Sequence, residues 1–281
     1  VLEPNGDKAP ILVSSPHSGR YYPPQLIEDI SISLDELRFM EDLFTDELCS
    51  SAINYGATLI KANYARAYID LNRPQHSLDV KLIDGIKINA YCPYSRAGIG
   101  LIARLVHKDT NIYRKKIPIM DVEARINNIH IPYHDFIKNK IESFKNNFAK
   151  ALLIDIHSMP KDALGTNQCD IIIGNFHSRS ANLRTTNIII DFFKSKGLKT
   201  RLNQPYAGGY ITQTHAKTHE NIKTIRPLKD GVIADFDASE KMISMFIKSI
   251  PALKKKMFTP ALRMVVCIPS GITEEIGRAH V

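Results

Sequence analysis

Ala151-Leu152-Leu153-Ile154-Asp155-Ile156, followed at once by His157-Ser158, is the stretch whose reading decides the fold. A short, nearly continuous apolar run of this kind is a strand buried on both faces, as in a parallel sheet. Ala9 to Ser14 (APILVS) reads the same way and ends in Ser15-Pro16-His17-Ser18-Gly19. Ala57–Ala62, Asp170–Gly174 and Lys199–Leu202 add further strands, and Ala67–Leu71 is a short extended run stopped by Asn72-Arg73-Pro74. Between them lie helical periods. Ser33 with Glu36 forms a capping box that opens a helix through Leu37, Met40, Leu43 and Leu48 to about Ile53, ending at Gly56. Asp121–Phe148 is helical in period, broken or re-entered at Pro132, and residues 181–196 form another helix closed by Gly197. Residues 75–110 are loop-rich. Strands alternating with helices imply an α/β fold: a mostly parallel mixed sheet with helices on both faces, in a single domain without repeat or linker.

The 281 residues are 44% hydrophobic and 23% charged, which excludes a disordered or fibrous chain. No apolar run approaches the ~20 residues of a membrane span, and the first residues hold no signal-type apolar block. The four cysteines (49, 92, 169 and 267) lack a C-x-x-C pairing, so reduced thiols in a cytoplasmic protein are expected rather than a disulfide framework or structural zinc. A net charge of +8 suits an anionic small substrate. Nucleic acid is excluded as a partner, since neither a basic stripe nor interleaved aromatics is present, and the oligomeric state is open.

Ligands of open α/β sheets bind beyond the carboxyl ends of the strands. His17 and His157 both stand there, each followed by a serine. One such histidine is as well explained by packing; two on separate strands, with carboxylates near, point to a metal. Neutral imidazoles suit zinc, and a catalytic site keeps three protein ligands and one open position. The acidic ligand is sought in Glu41-Asp42-Leu43-Phe44-Thr45-Asp46-Glu47-Leu48, where Asp42 and Asp46 share one face of the expected helix. Asp155 is either an outer group that orients an imidazole or a polar strand end. Arg73 beside Asn72 offers a fork for a carboxylate, or else a structural ion pair with Asp70. Gly208-Gly209-Tyr210 is a turn that allows close approach to a ligand.

These stretches, together with Tyr68-Ile69-Asp70-Leu71-Asn72-Arg73-Pro74, Asp170-Ile171-Ile172-Ile173-Gly174 and Tyr206-Ala207-Gly208-Gly209-Tyr210-Ile211-Thr212, occur in an order that resembles the N-formylglutamate amidohydrolases across about residues 9–225. The resemblance implies a zinc-exopeptidase (phosphorylase/hydrolase-like) fold related to carboxypeptidases and aspartoacylase. It implies hydrolysis of N-formyl-L-glutamate to formate and L-glutamate, with another acyl-amino-acid or peptidoglycan amidase, or an inactive remnant, as alternatives. It implies Zn2+ or another divalent metal held by His17, Asp42 and His157, with Asp46 the alternative to Asp42. By the same resemblance Asn72, Arg73, Gly209 and Tyr210 are expected to bind the substrate, a small acyl-amino acid with a free carboxylate, with Thr212 a lesser candidate.

The family pattern departs just after Ile225. Members tend to carry an Ile-Glu-Ile strand there whose Glu is the general base, whereas this chain runs Arg226-Pro227-Leu228-Lys229-Asp230-Gly231. Glu220 is the nearest remaining carboxylate and Asp230 follows it; both are weak substitutes. Residues 226–281 are a divergent C-terminal segment of the same domain, and Gly277–Val281 reads as an out-of-frame end.

Overall fold

A computed structural model describes residues 1–86, 92–107, 109–159, 169–216 and 245, and residues 222–230 as backbone. In chain order the elements are β1 (Ile11–Ser15), α1 (Pro24–Asp29), α2 (Leu34–Arg38), α3 (Thr45–Leu48), β2 (Thr58–Lys61), β3 (Ile83–Asp84), α4 (Pro93–Arg96), β4 (Leu105–His107), β5 (Thr110–Asn111), β6 (Ile117–Pro118), α5 (Ile119–Arg125) and α6 (Ile131–Phe148). There follow β7 (Ala151–Asp155), β8 (His157–Met159), β9 (Ile171–Gly174), α7 (Leu183–Ser195), β10 (Thr200–Leu202), α8 (Tyr210–His215) and β11 (Ile222–Asp230). The chain divides into two compact units interleaved in sequence, a division that no shift in composition marks.

The first unit, Val1–Ser15, Asp42–Lys61 and Lys138 onward, carries one sheet in the order β10-β9-β11-β7-β1-β2, with β8 also paired to β11. Its described ladders are parallel except β11 against β9. Register sets Ser14 opposite Asp155, and Leu228 opposite His157. Alternate residues Ile11 and Val13, Leu152 and Ile154, and Ile171 and Ile173 share a face. They belong to one core cluster with Ile189 and Phe193, which lie four apart on α7. Leu12, Leu153 and Ile172, on the opposite face, are buried as well, as the unbroken apolar runs require.

The second unit, Pro16–Glu41 and Ala62–Ile137, has its own core of Leu26, Leu37, Ile69, Ile83, Leu101 and Val122. Short helices and two-residue ladders build it, β3 with β6 and β4 with β5. The capping box at Ser33 forms as expected: its hydroxyl accepts from the Glu36 N–H, and its own N–H donates to Glu36 Oε2 at 2.9 Å.

Two sequence expectations need correction. The single helix from Leu34 to Ile53 is three pieces: α2 stops at Arg38, Phe44 turns into the left-handed region at φ 59°, and α3 passes into a 3₁₀ segment, Ser50–Tyr55. Asp42 and Asp46 therefore share no helix face. Ala67–Leu71 is not extended; Tyr68 and Ile69 both donate to the Ala65 carbonyl in a turn. Pro132 does not break the helix: α5, a π-helical turn at Ile126–His130 and α6 follow one another without a gap, and the missing proline N–H falls directly after that turn.

Candidate metal centre

The sheet brings the first donors to its carboxyl edge. His157 follows β7 and opens β8, with its Nδ1 2.8 Å from Asp42 Oδ2 and its Nε2 3.0 Å from Asp155 Oδ2. Asp155 is itself fixed by the Ser14 hydroxyl at 3.2 Å, and Ser158 donates to the other Asp42 oxygen at 2.9 Å. The break in the helix is what frees Asp42 for these contacts. Asp46 goes elsewhere: it remains in α3, and Lys61 Nζ holds its Oδ2 at 2.8 Å. All of these carboxylates are buried.

His17 stands two residues beyond the end of β1, and its Nε2 lies 2.8 Å from Asp70 Oδ1. Burial opposes the charge on Asp70, but Arg66, His17 and Arg73 outweigh it and hold the carboxyl well below the usual range. Asp70 stays ionised and acts as a firm acceptor for the ring. Each imidazole thus has one carboxylate at Nε2, an arrangement that fixes the orientation of the ring and leaves Nδ1 as the atom that could ligate a metal. His17, Asp42 and His157 are buried, and each offers a ligand atom within 4.8 Å of the others. Gly19, two residues on, has no room for a side chain: a Cβ there would lie 2.0 Å from the Tyr64 carbonyl oxygen.

Arg73 is placed by its surroundings. Its Nε donates to the Ile99 carbonyl at 2.9 Å, Nη1 to the Asn72 carbonyl at 3.2 Å, and the guanidinium lies 4.3 Å from the Tyr94 ring centre. Asn72 is buried, with its N–H donating to Asp70 Oδ1 at 2.8 Å. Asp70 therefore serves His17, Arg66 and the Asn72 backbone together, with Arg73 among the charges that keep it ionised; the sequence offers the Arg73 pairing as one alternative but no sign of the bond to His17. Gly209 caps α8, Tyr210 begins it, and Thr212 lies buried within it. Glu220 falls outside the described residues.

A family model described as N-formylglutamate amidohydrolase matches residues 9–226, and a second, described as MreB/Mbl protein, matches residues 201–280. The Pseudomonas aeruginosa protein named N-formylglutamate deformylase is 26% identical over 247 residues, covering 80% of this chain and 82% of its own. The Escherichia coli cell shape-determining protein MreB is 45% identical over 67 residues, 24% of this chain and 19% of its own. This chain spans less than a fifth of the length of the MreB relatives it matches. The crystal structure of N-formylglutamate amidohydrolase from Ralstonia eutropha superposes with a TM-score of 0.82 at 24% identity, covering 87% of this chain and 94% of that one, and shows the fold. The segment after residue 226, which had no resemblance in the sequence reading, lies within the MreB/Mbl match.

Proposed function

This chain belongs to the N-formylglutamate amidohydrolase family, and we propose that it hydrolyses N-formyl-L-glutamate to formate and L-glutamate. We place at its centre a divalent ion, zinc first, held by His17, Asp42 and His157. The observation that carries this is the donor set: two imidazoles and one carboxylate, buried and mutually close, with Asp70 and Asp155 behind the imidazoles. That composition suits zinc with one position left for water or substrate. It also favours Asp42 over Asp46, whose oxygen is taken by Lys61.

A cation bound there supplies Lewis acidity, which makes an amide carbonyl more electrophilic and water more acidic. The chain's own residues do the rest. Asp70 and Asp155 accept from Nε2 of His17 and His157, which would leave each Nδ1 to hold the metal. Arg73, with its plane set by Ile99, Asn72 and Tyr94, binds a substrate carboxylate by its fork, and Asn72 adds a donor. Gly209 and Tyr210 shape the substrate pocket. The scattered cysteines support a cytoplasmic setting; among the described residues Cys49, Cys92 and Cys169 are buried and form no disulfide.

One observation favours a slow enzyme. The family's base is expected just after Ile225, where this chain follows the MreB/Mbl pattern and has no Glu. A positioned base contributes about 10²–10⁴-fold. The purified protein is therefore expected to retain zinc by elemental analysis while releasing formate slowly, and a protein free of zinc after zinc loading overturns the centre. Because Leu228 is the register partner of His157, Leu228→Glu is expected to raise the formate-release rate at unchanged zinc content. No rise places the base elsewhere.

A further inference from the structure

Residues Ala67–Arg73 carry the proposed carboxylate-binding pair, yet they lie in no strand or helix. Backbone carbonyls away from water need partners, and here most come from side chains of one region. Tyr113 Oη donates to Ala67 O at 3.1 Å, and Arg125 Nη1 to Tyr68 O at 3.0 Å. His134 Nε2 donates to Leu71 O at 2.9 Å, and His130 Nε2 to Arg73 O at 2.9 Å. The last two carbonyls flank Asn72.

The helix is built to deliver these donors. His130 and His134 are four apart, so they share a face, with ring centres 4.3 Å apart. Arg125 is five before His130 and would point well aside on a regular α-helix. The π turn at Ile126–His130 holds one extra residue and rotates Arg125 toward that face. Gln75 Nε2 approaches His130 Nδ1 at 3.4 Å, so Nδ1 is the acceptor and Nε2 carries the proton that Arg73 O receives. Burial, partly offset by the Arg73 carbonyl and Asp70, lowers the His130 pKa and keeps that ring neutral.

We propose that His134 and His130, assisted by Arg125, are positioning residues that clamp the Leu71–Arg73 backbone and so set the carboxylate-binding geometry of Asn72 and Arg73. The proposal rests on the reading of Arg73 as carboxylate binder, and its test separates the two. The zinc-loaded full chain is titrated calorimetrically with N-formyl-L-glutamate and with its diamide, and amide hydrogen exchange is followed at residues 70–73. His134→Leu is expected to weaken N-formylglutamate binding about tenfold, to leave diamide binding within twofold, and to speed exchange at Asn72 and Arg73. His134→Asn, whose shorter amide cannot reach Leu71 O, is expected to do the same if the leucine variant fails to fold. His134→Gln restores a donor near the Nε2 position and is expected to recover both readouts. Parental affinity and exchange in His134→Asn overturn the clamp, as does failure of His134→Gln to recover. Arg73→Ala that binds N-formylglutamate like the parent overturns the carboxylate reading instead, and exchange at residues 70–73 then decides the clamp alone.

Discussion

His157 is carried at the edge of a sheet whose strands are paired on both sides, β7 with β1 and β11, and β8 with β11. Arg73 sits in a strip without a ladder, where Tyr113, Arg125, His130 and His134 take the carbonyls that strands would have taken. In the first region the backbone fixes position and side chains are free to specialise in ligation. In the second, side chains fix the backbone, so residues remote from substrate carry the geometry. Substitution at the strand ends should therefore remove a function cleanly, and substitution in the loop-rich unit should degrade one by degrees.

The largest expected effect is at the sheet edge. His157→Ala is expected to lose zinc on dialysis and to bring formate release to background, while β7 and β11 keep their slow amide exchange. Loss of strand protection along with the metal would show that the ladder does not hold position independently. Next comes Arg73→Ala. A charge-assisted hydrogen bond contributes about 1.5–3 kcal/mol, so kcat/KM for N-formylglutamate is expected to fall about ten- to hundred-fold with zinc retained. An unchanged ratio of N-formylglutamate to diamide turnover would remove Arg73 from the substrate site.

The smallest effect distinguishes the two regions by pH. Burial lowers the His130 pKa from 6.5, so in mild acid the unfolded chain binds more protons than the native one there. Stability from this group is present above about pH 6.5 and declines as pH falls through the lowered native value. Amide exchange at residues 70–73 is expected to accelerate relative to β1 and β7 between pH 7 and 5, after correction for intrinsic rates. Equal acceleration in both regions would dissociate His130 from the strip.

The strands were readable because a parallel sheet buries both faces, leaving uninterrupted runs such as Ala151–Ile156 and Ile171–Ile173. Ser33 was readable because a capping box is local, satisfied within four residues. The break at Phe44 was not. Residues 34–53 have helical spacing, and what diverts Asp42 is His157, 115 residues away. The bond between Asp70 and His17 was hidden for the same reason: the two are 53 residues apart, whereas Arg73, the pairing the sequence offers as one alternative, is next door. His130 and His134 show their four-residue spacing openly in Asn127-Asn128-Ile129-His130-Ile131-Pro132-Tyr133-His134. Their purpose was hidden, because the carbonyls they serve lie at and just beyond the end of Ala67–Leu71, which reads as a short extended run.

β11 runs parallel to β7 through Ile225 and antiparallel to β9 from Arg226, across the point where the amidohydrolase match ends and the MreB/Mbl match continues. A ladder is specified by peptide groups, which every residue but proline shares. Pairing at an internal strand therefore depends little on which residues supply it: β11 keeps its ladders across that point although Pro227, opposite Ile173, brings no N–H, whereas ligation and catalysis depend on the side chain at each position.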